Sequence, residues 1–182
     1  MTYYGNKELA ASFRTVRANT LKLAEDVPED KYDFRPAPDC RSIRETLVHI
    51  AVAPRLQEQI HFTEHLSSLN GFDFFGLFGK LIAEEKAPRT KAEILELLRT
   101  EGEKYASKLE GTSESFLAEI VEYPQGMVPP TKSRFEMLMA PKEHEMHHRG
   151  QLMVAQRLIG VVPHLTRQME ERIAAMKAAA AK

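Results

Sequence analysis

Apolar residues recur at helical spacing in four stretches of the chain, and no stretch gives the alternation of a half-buried strand. From 6 to 26, Leu9, Phe13, Val16, Thr20, Leu23 and Ala24 share a face, with Lys, Arg and Glu between them. From 42 to 66 the first half is apolar nearly all round, which predicts burial on more than one side. Ile94, Leu97, Leu98, Tyr105 and Leu109 mark a third helix over 90–109, with Gly111 as a good terminator. The fourth runs over 133–160 and is closed by Gly160 and Pro163. Asn6 is the expected N-cap of the first helix. The other three open on capping boxes: Ser42 with Glu45, Thr90 with Glu93, and Ser133 with Glu136. Pro54 should bend the second helix just after His49 by leaving the Ile50 carbonyl without its partner, and Pro141 should kink the fourth.

The connections are long. Pro28, Pro36 and Pro38 keep 27–41 out of helix. Residues 67–89 carry the turn signal Asn70-Gly71 and then Phe72, Phe74, Phe75 and Phe78. They predict a short helix tucked under the bundle, with a lid or a partner-contact surface as alternatives. Residues 112–131 leave room for a short helix around 116–120, because Gly126 and Pro129-Pro130 stop anything longer. The alanine-rich tail, 165–182, is helix-prone with few large apolar side chains, so a loosely docked helix is expected. The pattern predicts an all-α protein. It is a four-helix bundle without a sheet, with long connections and a short C-terminal helical tail, in one domain over 1–182 with its core at about 6–164.

Composition changes this picture little. Among 182 residues, 43% are apolar and 28% charged, which is ordinary for a soluble globular chain. A net charge of -1 gives no electrostatic argument for nucleic acid or an anionic membrane. No apolar run is long enough to span a bilayer. The single cysteine, Cys40, rules out an internal disulfide and gives no sign of being a nucleophile. The opening residues carry no basic segment followed by an apolar run, so no signal peptide is expected and a cytoplasmic location is.

The chemistry lies in the fourth helix. Three of seven histidines, His144, His147 and His148, fall within five positions. At about 100° per residue, His148 lies only about 40° round from His144, one turn on, so the two imidazoles can bind one metal ion. His144-Glu145-Met146-His147-His148 satisfies the H-E-x-x-H pattern of zinc metallohydrolases, with Glu145 as base. That reading needs a third ligand downstream, from His164, Glu170 or Glu171. A second reading uses His49, which shares an inward stripe with Ala53, Leu56 and Ile60.

The run His144-x3-His148-Arg149-Gly150-Gln151, with His49 on the second helix and Leu158-Ile159-Gly160-x-x-Pro163 closing the fourth, resembles the DinB-like family of small helical metalloproteins. The resemblance covers about 6–164; the phenylalanine-rich insert and the alanine-rich tail depart from its simplest members. It implies a four-helix bundle, often dimeric, whose three histidines bind a divalent metal: here His49, His144 and His148. It also implies a metal-dependent enzyme acting on a small molecule. Several members transfer or isomerise with low-molecular-weight thiols such as bacillithiol or mycothiol. The alternatives are a metal-activated hydrolase using Glu145, and a non-catalytic helical binding module with a structural metal. Three imidazoles with an open position suit a catalytic metal, zinc or nickel first, with iron, cobalt or manganese compatible. For zinc, nitrogens at about 2.0–2.2 Å are expected. A homodimer is expected from the aromatic surface of the Phe72–Phe78 insert.

The remaining polar residues have plainer readings. Gln151 hydrogen-bonds either the metal-bound group or another helix. Glu145, if not a base, accepts from a ligand imidazole or is a surface carboxylate. Arg149 should pair with a carboxylate on another helix, and Gly150 should mark close helix packing. His61 and His65, roughly 120° and 160° round from His49, cannot readily join its site and are expected to be solvated or incidental. His147 is the competitor of His148 as ligand.

Overall fold

The structure is a computed structural model that describes residues 4–181. Helix α1 (Asn6–Asp26) leads through a proline-bearing loop to α2 (Ile43–Val52). Pro54 ends α2, and the chain continues as a short α3 (Pro54–Gln57) and a π-helical turn (Glu58–Thr63). Then follow α4 (Phe74–Lys86), α5 (Lys91–Glu110), α6 (Glu114–Ala118), strands β1 (Ile120–Glu122) and β2 (Thr131–Ser133), α7 (Arg134–Leu158) and α8 (His164–Ala180). The long helices α1, α2, α5 and α7 make the four-helix bundle: α1 packs on α5 and α7, and α2 on α5 and α7.

The helix starts follow from local chemistry. In all three expected capping boxes the hydroxyl accepts the N3 amide and the glutamate returns to the cap amide, at 2.9 Å for Ser42, 2.7 Å for Thr90 and 2.9 Å for Ser133. The first helix differs. Gly5 is its N-cap, held by Glu8, and Asn6 is already helical with its side chain donating to the Glu110 carbonyl.

The expectation of no sheet is corrected. β1 and β2 pair antiparallel, Val121 opposite Lys132, and Glu122 also bridges to Ser68. Three residues per strand are too few for alternation to register as a pattern. The insert forms the expected helix, the 13-residue α4, capped by Asp73 and packed against α2. Leu81 and Glu85 face inward, while Phe75 is 91% exposed. The tail helix α8 behaves as expected. It is anchored at its start by His164 donating to Asn19 and by Arg167 pairing with Asp26, and is exposed over most of its length.

The apolar core has two main parts. One gathers the second half of α1, all of α2, the start of α5 and the end of α7, with Leu23, Leu47, Ile94 and Leu152 at its centre. The other joins the opposite halves of α1, α5 and α7 around Phe13, Tyr105 and Leu138. Among the described residues, no helix is long and apolar enough to cross a membrane.

Candidate metal centre

The helix spacing of α7 stacks His144 and His148 one turn apart, and the register of α2 against α7 brings His49 to them across 95 residues of sequence. The Nε2 atom of His144 lies 3.0 Å from that of His49 and 3.1 Å from that of His148. The three candidate ligand atoms lie within 4.8 Å of one another, the one such group among the described residues.

Outer contacts settle which nitrogen of two rings carries hydrogen. A carboxylate only accepts, so His49 donates from Nδ1 to Glu85 Oε1 at 2.6 Å. His148 donates from Nδ1 to Gln151 Oε1 at 2.8 Å. Both therefore turn a lone pair at Nε2 into the cluster. Burial, then the charge of the neighbouring histidines, pushes His144 down to about 4, so this ring is neutral near pH 7. Burial lowers His148 as well, against the opposing effect of the Gln151 contact. Three imidazole nitrogens gathered at one point are a donor set that a divalent transition metal takes, and the residues present fit it. A cleft of about 930 Å³ opens onto His148, Gln151 and Glu85, walled by α2, α4, α7 and the loop carrying Cys40 and Arg41.

The family model of the DinB superfamily matches residues 12–152. This chain belongs to the DinB superfamily. The uncharacterised YjoA of Bacillus subtilis is 26% identical over 155 residues, 85% of this chain and 91% of that protein. The crystal structure of YjoA, described as a DinB-like protein, superposes with a TM-score of 0.61 at 24% identity, covering 84% of this chain and 92% of YjoA. YfiT of the same organism, described as a probable metal-dependent hydrolase with an unusual four-helix bundle topology, superposes with a TM-score of 0.66 at 14% identity. That match covers 88% of this chain and 91% of YfiT.

Within this DinB-superfamily fold several expected roles change. Glu145 is neither a base open to the cleft, an acceptor for a ligand imidazole, nor a surface carboxylate. It is 1% exposed, and both its oxygens accept from Arg17 Nε at 3.0 Å. One step along α7 from His144 turns Glu145 toward α1, which supplies that arginine. Arg149, expected to find a carboxylate, instead donates to the Val16 carbonyl. Gly150 marks no close packing, since a Cβ there would meet nothing within 4 Å. Gln151 bonds neither another helix nor the centre of the cluster: it accepts from His148 and donates to His147 Nε2 at 3.1 Å. His147 is exposed and outside the cluster. The downstream candidates are elsewhere too, His164 buried against Asn19 and Glu170 and Glu171 exposed on α8.

His61 is also corrected. It is 1% exposed, accepts from buried Arg134 at 2.8 Å and donates to Gln57. The wheel drawn from His49 fails because Pro54 breaks the helix and the π turn shifts its phase. His65 is exposed as expected, paired with Glu119.

Two residues beside the centre escaped the sequence reading: Glu85, and Arg41, whose Nε donates to Glu85 Oε2 at 2.8 Å. The available signal was the spacing Leu77, Leu81, Glu85, which puts a carboxylate in line with two leucines that pack on the core.

Proposed function

We propose that this protein is a metal-dependent enzyme whose divalent ion is held by His49, His144 and His148. Its reaction is the transfer of a low-molecular-weight thiol to a small electrophile. The observation that carries the reading is the convergence of three Nε2 atoms at the edge of a cleft large enough for such a substrate. When bound, the ion supplies Lewis acidity that lowers the pKa of a thiol or water placed against it. The chain's own residues do the rest. Glu85 and Gln151 hold two imidazoles by their Nδ1 hydrogens. Leu152, Ala155 and Ile43 give the cleft apolar surface against which the carbon skeleton of a substrate can pack. In the transfer, sulfur bonds to the electrophilic carbon, the displaced group leaves with its electron pair, and the thiol proton goes to solvent.

A metal-activated hydrolase is the second reading, favoured by the description of YfiT. It lacks Glu145 as a base here, because Arg17 occupies both oxygens. Glu85 is committed as well, to His49 and Arg41. A thiol is far more acidic than water to begin with, at about 8.5, so it ionises against the ion without a carboxylate base more readily than water does, and this supports the transferase. Zinc or nickel suits three imidazoles best, with iron, cobalt and manganese compatible.

The test is consumption of an aryl halide by the zinc-loaded chain. The transferase requires turnover that disappears on chelation and depends on added thiol. Turnover of an ester without thiol would favour the hydrolase. Zinc binding with no turnover of either probe would leave a binding module with a structural metal.

A further inference from the structure

Glu85 is the odd residue of α4. It is 6% exposed, on a helix that otherwise leaves Phe75, Phe78 and Ile82 in solvent. Each of its two oxygens has a separate task. Oε1 accepts from His49 Nδ1 at 2.6 Å, and Oε2 accepts from Arg41 Nε at 2.8 Å. The result is a chain Arg41–Glu85–His49 that reaches the cluster from outside, linking the 27–41 loop, α4 and α2.

We propose that Glu85 is a positioning residue of the metal centre, and that through it the docking of α4 and the occupancy of the three histidines are coupled. The inference rests on the metal-centre reading given above. Its physical content has two parts. A carboxylate on Nδ1 fixes the His49 tautomer, holds the ring's direction and makes Nε2 a better donor. Its contribution to metal affinity is thus separate from that of the ligands. The second part is reciprocity. Glu85 sits on α4 and His49 on α2, so whatever factor their contact adds to metal affinity, the metal adds to the docking of α4. Arg41 supports the contact by holding the other oxygen, so it acts one step further out.

The experiment measures zinc affinity of the full chain by competition with a chromophoric chelator. It is combined with hydrogen exchange over residues 81–86, for the wild type, Glu85→Gln, Glu85→Ala, Arg41→Gln and His49→Ala. Circular dichroism confirms that each variant keeps its helix content. Glu85→Ala should lose about 10–100-fold in affinity, with Glu85→Gln between it and the wild type because an amide oxygen still accepts a weaker bond. Arg41→Gln should lose less than Glu85→Ala. Zinc should slow exchange at 81–86 in the wild type and not in Glu85→Ala.

His49→Ala, which removes a ligand, should bind zinc worst of all. If Glu85→Ala binds zinc as the wild type does while His49→Ala does not, the positioning role is overturned and the metal centre stands. If zinc leaves exchange at 81–86 unchanged in the wild type, the coupling is overturned. If the wild type itself binds no zinc, the metal-centre reading fails and takes this inference with it.

Discussion

Two glycines in mid-helix should respond oppositely to alanine. A Cβ at Gly102 on α5 would lie 2.8 Å from Arg17 Cγ and 2.9 Å from its Nη1. Arg17 cannot step aside, because its guanidinium is bound to Glu145, Leu98 and Ile50 and is buried. Gly102→Ala should therefore destabilise by about 1–3 kcal/mol, less the helix-propensity gain. Gly150→Ala meets open space and should stabilise by roughly 1 kcal/mol, the ordinary preference for alanine. Urea midpoints of the two variants check this, and equal signs would contradict it. His61 adds a pH signature. Burial, then the Arg134 charge, lowers it from 6.5 to about 3. Between those values the unfolded chain binds a proton at this site that the folded chain does not. Stability should fall as pH drops from about 6.5 toward 3. In His61→Gln the slope of stability against pH over that range should be shallower, and an unchanged slope would show that His61 is not the group responsible.

At the scale of elements, the break at Pro54 is joined to the histidine-bearing helices by one side chain. Proline cannot return a hydrogen bond to the Ile50 carbonyl, and Arg17 Nη2 takes that carbonyl at 3.2 Å. The same guanidinium donates to the Leu98 carbonyl at 2.6 Å and pairs with Glu145. Arg17 on α1 thus ties α2 one residue past His49, α7 one residue past His144, and α5. Arg17→Met leaves Glu145 buried without a cation, which costs about 3–5 kcal/mol in comparable sites. Thermal unfolding should show that loss. A variant as stable as the wild type would mean the pair contributes little beyond what an apolar side chain provides. The expected bend after His49 was readable from Pro54, but its compensation was not, because nothing local to residue 50 names a partner 33 positions away.

For the whole molecule, the bundle was legible because its signals are local. Capping boxes, helical periodicity and the Gly160–Pro163 stop each need only neighbouring residues. The histidine cluster was legible for a related reason: the i,i+4 pair is local, and the family resemblance supplied His49. Glu85, Arg41 and Arg17 were not, since each acts through a contact far along the chain, and neither was the hairpin, whose strands are three residues each. One expectation concerns assembly. The exposed face of α4 at Phe75, Phe78 and Ile82 supports a homodimer, and a monomeric mass by light scattering at high concentration would contradict it.

The central claim is that His49, His144 and His148 hold one divalent ion. X-ray absorption at the zinc edge of the reconstituted full chain tests it most directly. The expected result is one zinc per chain with three imidazole nitrogens bonded to it, and loss of that signal in His49→Ala. A zinc environment without imidazoles, or one that survives unchanged in His49→Ala, would contradict the account.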